Sequence, residues 1–249
     1  MKINAAKQRM LAGQPALGMQ VALGSPVSAG LMARAGFDFV LVDNQHGDYN
    51  DATSQHAFQL ITLEGSVPMA RVCRNDFYAI GRLLDRGALG IIVPMVNSAA
   101  DARAAAYAMR YPPIGGRSFG HLLADFHGAD YEAWIDQQVF LVVQIESAEA
   151  VERAEEIMGV DGVDGCWIGP TDLAASLGVK RGSDAHTAAV LRVRDACRKT
   201  GKIPGIHTYG AAETQRWLDH GLQFITAGAE TLLLASAAAE TLRVLGRKR

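Results

Sequence analysis

Residues 34–43, RAGFDFVLVD, contain the end of a helical pattern, a glycine and an apolar strand pattern in direct succession. The same order recurs at residues 85–92, DRGALGII, and at residues 219–225, DHGLQFI. Glycine ends a helix well because it adopts the left-handed backbone conformation without a steric penalty. The short apolar runs that follow are typical of parallel strands buried on both faces. This repetition predicts a chain of βα units.

Eight apolar runs of this kind are spaced along the chain, with helical patterns between them. They lie at residues 16–23, 37–43, 67–71, 88–94, 139–146, 165–169, 203–207 and 222–228. A Rossmann-type sheet would place GxGxxG directly after the first strand, whereas the glycines of IGGRSFG follow a helix and a Tyr-Pro-Pro break. We therefore predict an α/β protein, a (β/α)8 TIM barrel in which residues 1–249 form a single domain.

The composition excludes several classes of protein. Of the 249 residues 49% are hydrophobic, and the net charge of −2 lacks the clustered Lys and Arg of a nucleic-acid-binding surface; the basic ending GRKR is too short to form one. Three widely spaced cysteines without a CxxC motif predict neither a disulfide framework nor a zinc site. Without a membrane-spanning run or a signal-peptide core, we expect a cytoplasmic protein that binds neither nucleic acid nor membranes.

Carboxylates follow two of the predicted strands and are candidate metal ligands. Glu146 ends the run LVVQIE, and Asp172 lies just past GCWIG. The active site of a TIM barrel lies at these C-terminal strand ends. Carboxylates are costly to desolvate without a partner, and oxygen ligands suit a hard cation such as Mg²⁺ or Mn²⁺. The alternatives are a buried salt bridge for Glu146 and an acidic first helical turn for Asp172.

Other strand ends carry polar groups with catalytic potential. Asp43 and His46 follow the second strand, and we expect the carboxylate to orient the imidazole as a general base. Arg71 ends the third strand and suits a carboxylate or enolate oxygen, with an ion pair to a site acid as the alternative. Gln144 shares a strand face with Glu146 and should point into the barrel mouth.

Three further residues are weaker candidates. His207 ends the seventh strand and is either a site residue or a hydrogen-bonded histidine of the barrel rim. Arg74 and Arg117 are loop or interface arginines. The segment 112–133 is the longest irregular stretch, and a loop of that length is usually functional or packs on a neighbouring subunit.

Six motifs, in order, carry a family resemblance through nearly the whole chain. They are FDFVLVDNQHG, VPMARV, GALGIIVPMV, RYPPIGGRSFG, VVQIES and WIGPTDLAASLG. With them the chain resembles the HpcH/HpaI class II pyruvate aldolases, which include 4-hydroxy-2-oxoheptanedioate and 2-dehydro-3-deoxyglucarate aldolases. The resemblance implies a lyase that reversibly cleaves a 4-hydroxy-2-oxo acid to pyruvate and an aldehyde through a pyruvate enolate.

The resemblance also implies roles for individual residues. Glu146 and Asp172 correspond to the family's ligands for a divalent metal, Mg²⁺ or Mn²⁺, with Co²⁺ as a further option. Arg71 corresponds to the arginine that contacts the pyruvate oxygens, and Asp43 and His46 to the family's Asp–His pair. The family's strand-five glutamine falls on Gln144, which is expected to bind the substrate. The carboxylate of pyruvate would lie on the turn formed by Gly169, Pro170, Thr171 and Asp172. A lysine Schiff base is the alternative chemistry, but the predicted strand ends carry no lysine.

One position departs from the family pattern. Much of the family has an acid directly before the catalytic histidine, whereas Gln45 precedes His46 here. A neutral amide cannot take a proton, so the part played by that acid must be altered, and the Gln-His-Gly sequence indicates a distinct branch.

The resemblance further implies a homohexamer, a trimer of dimers with exchanged C-terminal helices, acting in aromatic or sugar acid catabolism. Two other functions stay open at this point. One is a related lyase or synthase that acts on oxaloacetate or an acyl-CoA ester. The other is a barrel that binds a 2-oxo acid without catalysis.

Overall fold

The computed structural model describes residues 3–247 and shows eight parallel strands closed into a barrel. Each strand pairs with the next one in the sequence, and the last pairs with the first. The predicted (β/α)8 barrel is confirmed, and every predicted apolar run overlaps a strand. The strands are β1 Ala16–Val21, β2 Phe39–Asp43, β3 Val67–Arg71, β4 Gly90–Val93, β5 Phe140–Ile145, β6 Gly165–Ile168, β7 Gly205–His207 and β8 Phe224–Ala229.

Helices occupy the segments before, between and after the strands. Within residues 3–247, none of them is long and apolar enough to cross a membrane. They are α1 Ala5–Leu11, α2 Pro26–Arg34, α3 Asp51–Leu63, α4 Phe77–Asp85, α5 Ala99–Met109, α6 Tyr131–Gln138, α7 Ala148–Glu152, α8 Ala154–Met158, α9 Pro170–Ser176, α10 Asp184–Lys199, α11 Ala211–Asp219 and α12 Glu230–Val244. A 3₁₀ helix, His121–His127, lies in the stretch predicted to be irregular. The last two residues of the basic ending, Lys248 and Arg249, lie outside the described residues.

Capping residues, proline and glycines in the sequence explain where the helices begin and end. Ser25 caps α2 by accepting a hydrogen bond from the amide of Ser28, with Pro26 in the first turn. The glycines of the repeated helix–glycine–strand pattern all have positive φ angles, 102° at Gly36, 106° at Gly87 and 77° at Gly221. A side chain would strain the backbone there, so glycine permits the sharp turn from each helix into its strand.

Aromatic side chains fill the barrel near the N-terminal ends of the strands. Phe39 stacks on Phe224 with ring centroids 4.5 Å apart, and Phe140 meets Phe224 edge-on at 5.4 Å. Gly18 makes room for this packing, since a Cβ there would come within 2.2 Å of the Phe39 ring. Burial of each ring contributes about 1.5–3 kcal/mol. This end is therefore an apolar plug, and the polar side chains are left to the opposite end.

The C-terminal helix is attached mainly at its first turn. The carboxylate of Glu230 accepts hydrogen bonds from the amides of Ala22 and Leu23, both at 2.8 Å, after β1. Glu230 is the helix's buried residue, and the leucines along the rest of it are exposed. These leucines are Leu232, Leu233, Leu234 and Leu242.

Candidate active site

A cavity of about 360 Å³ opens at the C-terminal ends of the strands. It gathers the predicted site residues other than Glu146 from five separate segments, as expected for a TIM barrel. Glu146 is not among the lining residues, but its carboxylate accepts a hydrogen bond from Gln144, which is. The lining residues include Gln20, Ala22, Asp43, His46, Arg71, Gln144, Trp167, Gly169, Pro170, Thr171, Asp172, His207, Tyr209, Ala229, Thr231 and Leu232.

Asp43 and Arg71 form a buried ion pair between two adjacent strands. They are register partners at the ends of β2 and β3, so their side chains leave the sheet on the same side. Arg71 donates from Nε to Oδ1 at 2.9 Å and from Nη2 to Oδ2 at 2.5 Å. Gln20 of β1 adds a hydrogen bond to Oδ2 at 2.7 Å. The alternative of an ion pair between Arg71 and a site acid therefore holds in this structure.

The structure corrects the expected relation between Asp43 and His46. Oδ1 of Asp43 accepts hydrogen bonds from the backbone amides of Gln45 and His46, at 3.0 and 3.2 Å. The imidazole of His46 is exposed at the cavity and has no hydrogen-bond partner within residues 3–247. The carboxylate therefore holds the backbone turn that carries the histidine, because its oxygens are already occupied by Arg71, Gln20 and two amides.

The surroundings of Asp43 keep it ionised. Burial alone would raise the pKa of this carboxyl, but the hydrogen bonds and charge of Arg71, with the two amides, outweigh burial and lower it. The pair is nearly inaccessible, with 1% of the Asp43 side chain and 8% of the Arg71 side chain exposed.

Glu146 and Asp172 lie near each other at the ends of β5 and β6. Oε1 of Glu146 accepts a hydrogen bond from the amide of Met95 at 3.0 Å, and Oε2 accepts one from Gln144. Burial is the main cause that raises the pKa of Glu146, and the negative charge of Asp172 adds to it. A Cβ at Gly169 would lie 3.0 Å from Oε2 of Glu146, so glycine lets the strand pass close to this carboxylate.

These residues fit a divalent cation on the basis of their donor atoms. Two carboxylates lie together, and Oε1 of the buried Gln144 has no hydrogen-bond partner in the described chain. Within residues 3–247, no group of three or more His, Cys, Asp or Glu could hold a metal by itself. Water and substrate oxygens would have to complete the coordination, as they commonly do around Mg²⁺.

The start of α9 presents backbone amides next to these carboxylates. Gly169 is the N-cap residue and Pro170 occupies the first turn, and no side chain caps the helix. His186 of α10 fixes the turn through Nε2, 2.9 Å from the carbonyl oxygen of Pro170. The amides of Thr171 and Asp172 are therefore available to a negatively charged group.

A second polar network lies beside the ion pair. The Arg71 guanidinium lies 5.4 Å from the centre of the Trp167 ring. Trp167 donates from Nε1 to Oγ1 of Thr226 at 3.1 Å, and His207 Nδ1 lies 2.8 Å from the same oxygen. His207 is thus a hydrogen-bonded histidine that also lines the cavity.

Sequence reasoning missed several residues at the mouth. Gln20 interrupts the apolar pattern of the first strand, a signal that could have revealed it. Trp167 and Thr226 carry no such signal, since an aromatic residue or a threonine is ordinary in a strand pattern. Tyr209 lies in the loop after β7 and carries none either. Only the closure of the barrel brings them together.

Of the weaker candidates, His207 lines the cavity, whereas Arg74 and Arg117 are not among its lining residues. Arg117 pairs with Asp85 at 2.8 Å, and Arg74 is largely exposed. His121 and His127 pack near Tyr131 in the segment around the 3₁₀ helix. Oε1 of Gln45 is buried without a hydrogen-bond partner in the described residues.

Comparison with known proteins assigns the chain to a family. Residues 16–237 match the HpcH/HpaI aldolase/citrate lyase family. The chain belongs to the HpcH/HpaI aldolase/citrate lyase family. It is 39% identical to a 4-hydroxy-2-oxo-heptane-1,7-dioate aldolase of Klebsiella pneumoniae, over 94% of this chain and 91% of that enzyme. Like these HpcH/HpaI relatives, it is an aldehyde-lyase, and the family generally depends on a divalent metal.

Solved structures agree with this assignment. A family protein from Burkholderia cenocepacia superposes with a TM-score of 0.92 at 30% identity, covering 98% of this chain and 100% of the other. The citrate synthase SbnG superposes with a TM-score of 0.88 at 26% identity, covering 98% of each chain. A barrel similar to this one is thus also found in a citrate synthase.

Proposed function

We propose that this protein is a divalent-metal-dependent class II aldolase that cleaves a 4-hydroxy-2-oxo acid to pyruvate and an aldehyde, and also joins the two. The observation that carries the proposal is the convergence of the Glu146 and Asp172 carboxylates with Arg71 at one barrel mouth. The activity named for the Klebsiella and Escherichia coli relatives supports the choice of a 4-hydroxy-2-oxo acid.

Glu146 and Asp172 would hold the metal, with Mg²⁺ or Mn²⁺ as the preferred ion and Co²⁺ as a substitute. When bound, the ion supplies Lewis-acid polarisation of the keto oxygen. Gln144 positions Glu146 through its amide nitrogen, and its unpaired Oε1 can accept a hydrogen bond from a water molecule at the site.

Arg71 and the α9 turn would bind the 2-oxo acid. Asp43 takes Nε and Nη2 of Arg71, and Nη1 has no hydrogen bond to the described residues. We assign this nitrogen to the oxygen that becomes the enolate, where a fixed positive charge stabilises the transition state. The turn of Gly169, Pro170, Thr171 and Asp172 would receive the carboxylate on its free amides.

His46 would move the proton. In cleavage it accepts the proton of the 4-hydroxyl group while the C3–C4 bond breaks, and then returns a proton to C3 of the enolate. Its exposed imidazole can reach a substrate in the cavity. Asp43 fixes the position of His46 through the backbone amide.

We extend the proposal to the whole molecule. Residues 1–249 act as one domain in a cytoplasmic homohexamer, a trimer of dimers that takes part in aromatic or sugar acid catabolism. The exposed leucines of α12 support an assembly in which this helix packs on a neighbouring subunit.

Exchange of the pyruvate methyl protons tests the proposed function. The protein is incubated with Mn²⁺ and pyruvate in D₂O, the metal is removed by chelation before recording, and the methyl signal is followed by NMR. We expect the unmodified protein to exchange the methyl protons. Exchange should be absent when EDTA is present from the start, and absent in the Glu146→Ala variant. Glu149→Ala, at an exposed position on α7, is the matched control and should retain exchange. Absence of exchange with Mg²⁺, Mn²⁺ and Co²⁺ would refute the proposal.

A further inference from the structure

The position of His207 allows its side chain to donate a hydrogen bond to a ligand in addition to any structural role. It ends β7, in register with Thr226 of β8. Its side chain is buried, with 7% of the residue exposed, yet it lines the cavity. Nδ1 lies 2.8 Å from Oγ1 of Thr226, and no group among residues 3–247 is bonded to Nε2. Nε2 is therefore the ring atom that is free for a ligand.

The hydrogen bonds around Thr226 determine the tautomer of His207. The indole nitrogen of Trp167 can only donate, so Oγ1 of Thr226 is its acceptor, at 3.1 Å. Thr226 is fully buried, and its hydroxyl hydrogen needs an acceptor. In the described chain, Nδ1 of His207 is the acceptor within reach of that hydroxyl. Nδ1 therefore accepts, and the ring hydrogen resides on Nε2.

Burial and the positive charges around the ring keep it neutral. Burial, followed by the positive charges of Arg71 and Arg181, lowers the pKa of His207 to about 4, and the nearby Asp43 only partly opposes this. At neutral pH the imidazole thus carries one N–H group and no net charge. It can donate a hydrogen bond without delivering a proton.

The place of His207 in the cavity indicates which substrate atom it would meet. On one side, the neighbouring strand β6 leads to Asp172, in the α9 turn assigned to the 2-oxo acid. On the other side, β8 and the start of α12 contribute the apolar rim residues Ala229 and Leu232. An aldol substrate has its 2-oxo acid half and its aldehyde half joined at the C3–C4 bond. A donor between the two ends suits the oxygen on C4.

We propose that His207 is a catalytic residue that donates its Nε2 hydrogen to the C4 oxygen of the substrate. This inference rests on the proposed aldolase function and adds a residue that stabilises the aldehyde half. In cleavage, the C3–C4 electron pair passes to the enolate and the 4-hydroxyl proton passes to His46. The C4 oxygen becomes the aldehyde carbonyl, and His207 keeps its own proton throughout. In the synthetic direction the same hydrogen bond polarises the aldehyde carbonyl.

Two activities distinguish the role proposed for His207 from the roles of the residues that stabilise the enolate. Hydrogen exchange on pyruvate requires only the enolate, whereas cleavage of 4-hydroxy-2-oxoheptanedioate also requires the C4 oxygen to be stabilised. His207→Phe removes the donor and keeps a ring of similar size. His207→Gln keeps an N–H donor on a side chain of similar length. Both activities are measured with Mn²⁺ for each variant and for the unmodified protein.

We expect His207→Phe to lower kcat for cleavage about 100-fold, the usual effect of losing one such donor. Exchange should stay within about twofold, which also reports an intact fold, and His207→Gln should recover part of the cleavage. Unchanged cleavage in His207→Phe, or equal loss of cleavage and exchange in both variants, would overturn the proposal. Absence of both activities in the unmodified protein would instead refute the aldolase function itself.

Discussion

Arg71 and Asp43 form a two-point ion pair across β2 and β3, with N–O distances of 2.9 and 2.5 Å. Both side chains are largely buried, so little water is available to replace either charge's partner. The pair leaves Nη1 of Arg71 without a hydrogen bond to the described residues. Asp43 also fixes the turn that carries His46. Because the pair depends on the register of β2 and β3, that register also determines the position of His46, the residue proposed to transfer the proton.

Removal of one partner of this pair should be strongly destabilising. We expect Asp43→Ala to lower the free energy of unfolding by about 3–5 kcal/mol, because the Arg71 guanidinium stays buried without its counter-ion. The double variant Asp43→Asn with Arg71→Gln should cost less than the sum of its single changes. Urea unfolding at fixed protein concentration measures both effects. A cost below about 1 kcal/mol for Asp43→Ala would place the pair among solvated surface ion pairs.

Gly169→Ala should weaken metal binding without unfolding the protein. The new Cβ would lie 3.0 Å from both Nε2 of Gln144 and Oε2 of Glu146, so the carboxylate must shift. We expect Mn²⁺ affinity to fall about 10- to 100-fold, the usual effect of disturbing the residues that support metal ligands. Titration calorimetry measures this affinity.

Gly81→Ala is the matched control for that variant. Gly81 lies within α4, and nothing lies within 4 Å of an added Cβ. It should leave Mn²⁺ affinity unchanged and stabilise the helix by about 0.5–1 kcal/mol. Equal Mn²⁺ affinity in both variants would contradict a metal site beside Gly169.

His207 should make the protein less stable as the pH falls. Its pKa is about 4 when folded, against 6.5 as the ordinary value, so its stabilising contribution is complete above pH 6.5 and declines towards pH 4. The full loss corresponds to about 3 kcal/mol. His207→Phe should flatten this part of the pH dependence in urea unfolding. The exposed His56 of α3 is the control, and His56→Gln should leave the slope as it is.

The leucines of α12 should determine the assembly. We expect light scattering to give about six times the 26.6 kDa mass of one chain, and the double variant Leu233→Asp with Leu234→Asp to reduce it. Leu63→Asp, at another exposed leucine, should leave the mass unchanged. A monomer mass for the unmodified protein would contradict the proposed hexamer.

Much of the fold was predictable because local signals repeat along the chain. Glycines after helices, such as Gly36 and Gly221, and the apolar runs that follow them are each readable without tertiary information. The positions of Asp43, Arg71 and Gln144 at strand ends follow from the barrel rule, and the structure brings them to one cavity. The sequence did not reveal that Asp43 holds the backbone of His46 and not its imidazole. This depends on which donors lie within hydrogen-bond distance of the carboxylate.

The sequence by itself determined the alternation of strands and helices, the eightfold repetition and the identity of the residues at the strand ends. These depend on local periodicity, on helix caps and on backbone conformations that only glycine adopts easily. Tertiary structure alone decided that Arg71 holds Asp43, that Gly169 passes beside Glu146, and that Trp167 and Thr226 orient His207. Those relations depend on strand register and barrel closure, which join residues far apart in the chain within hydrogen-bond distance.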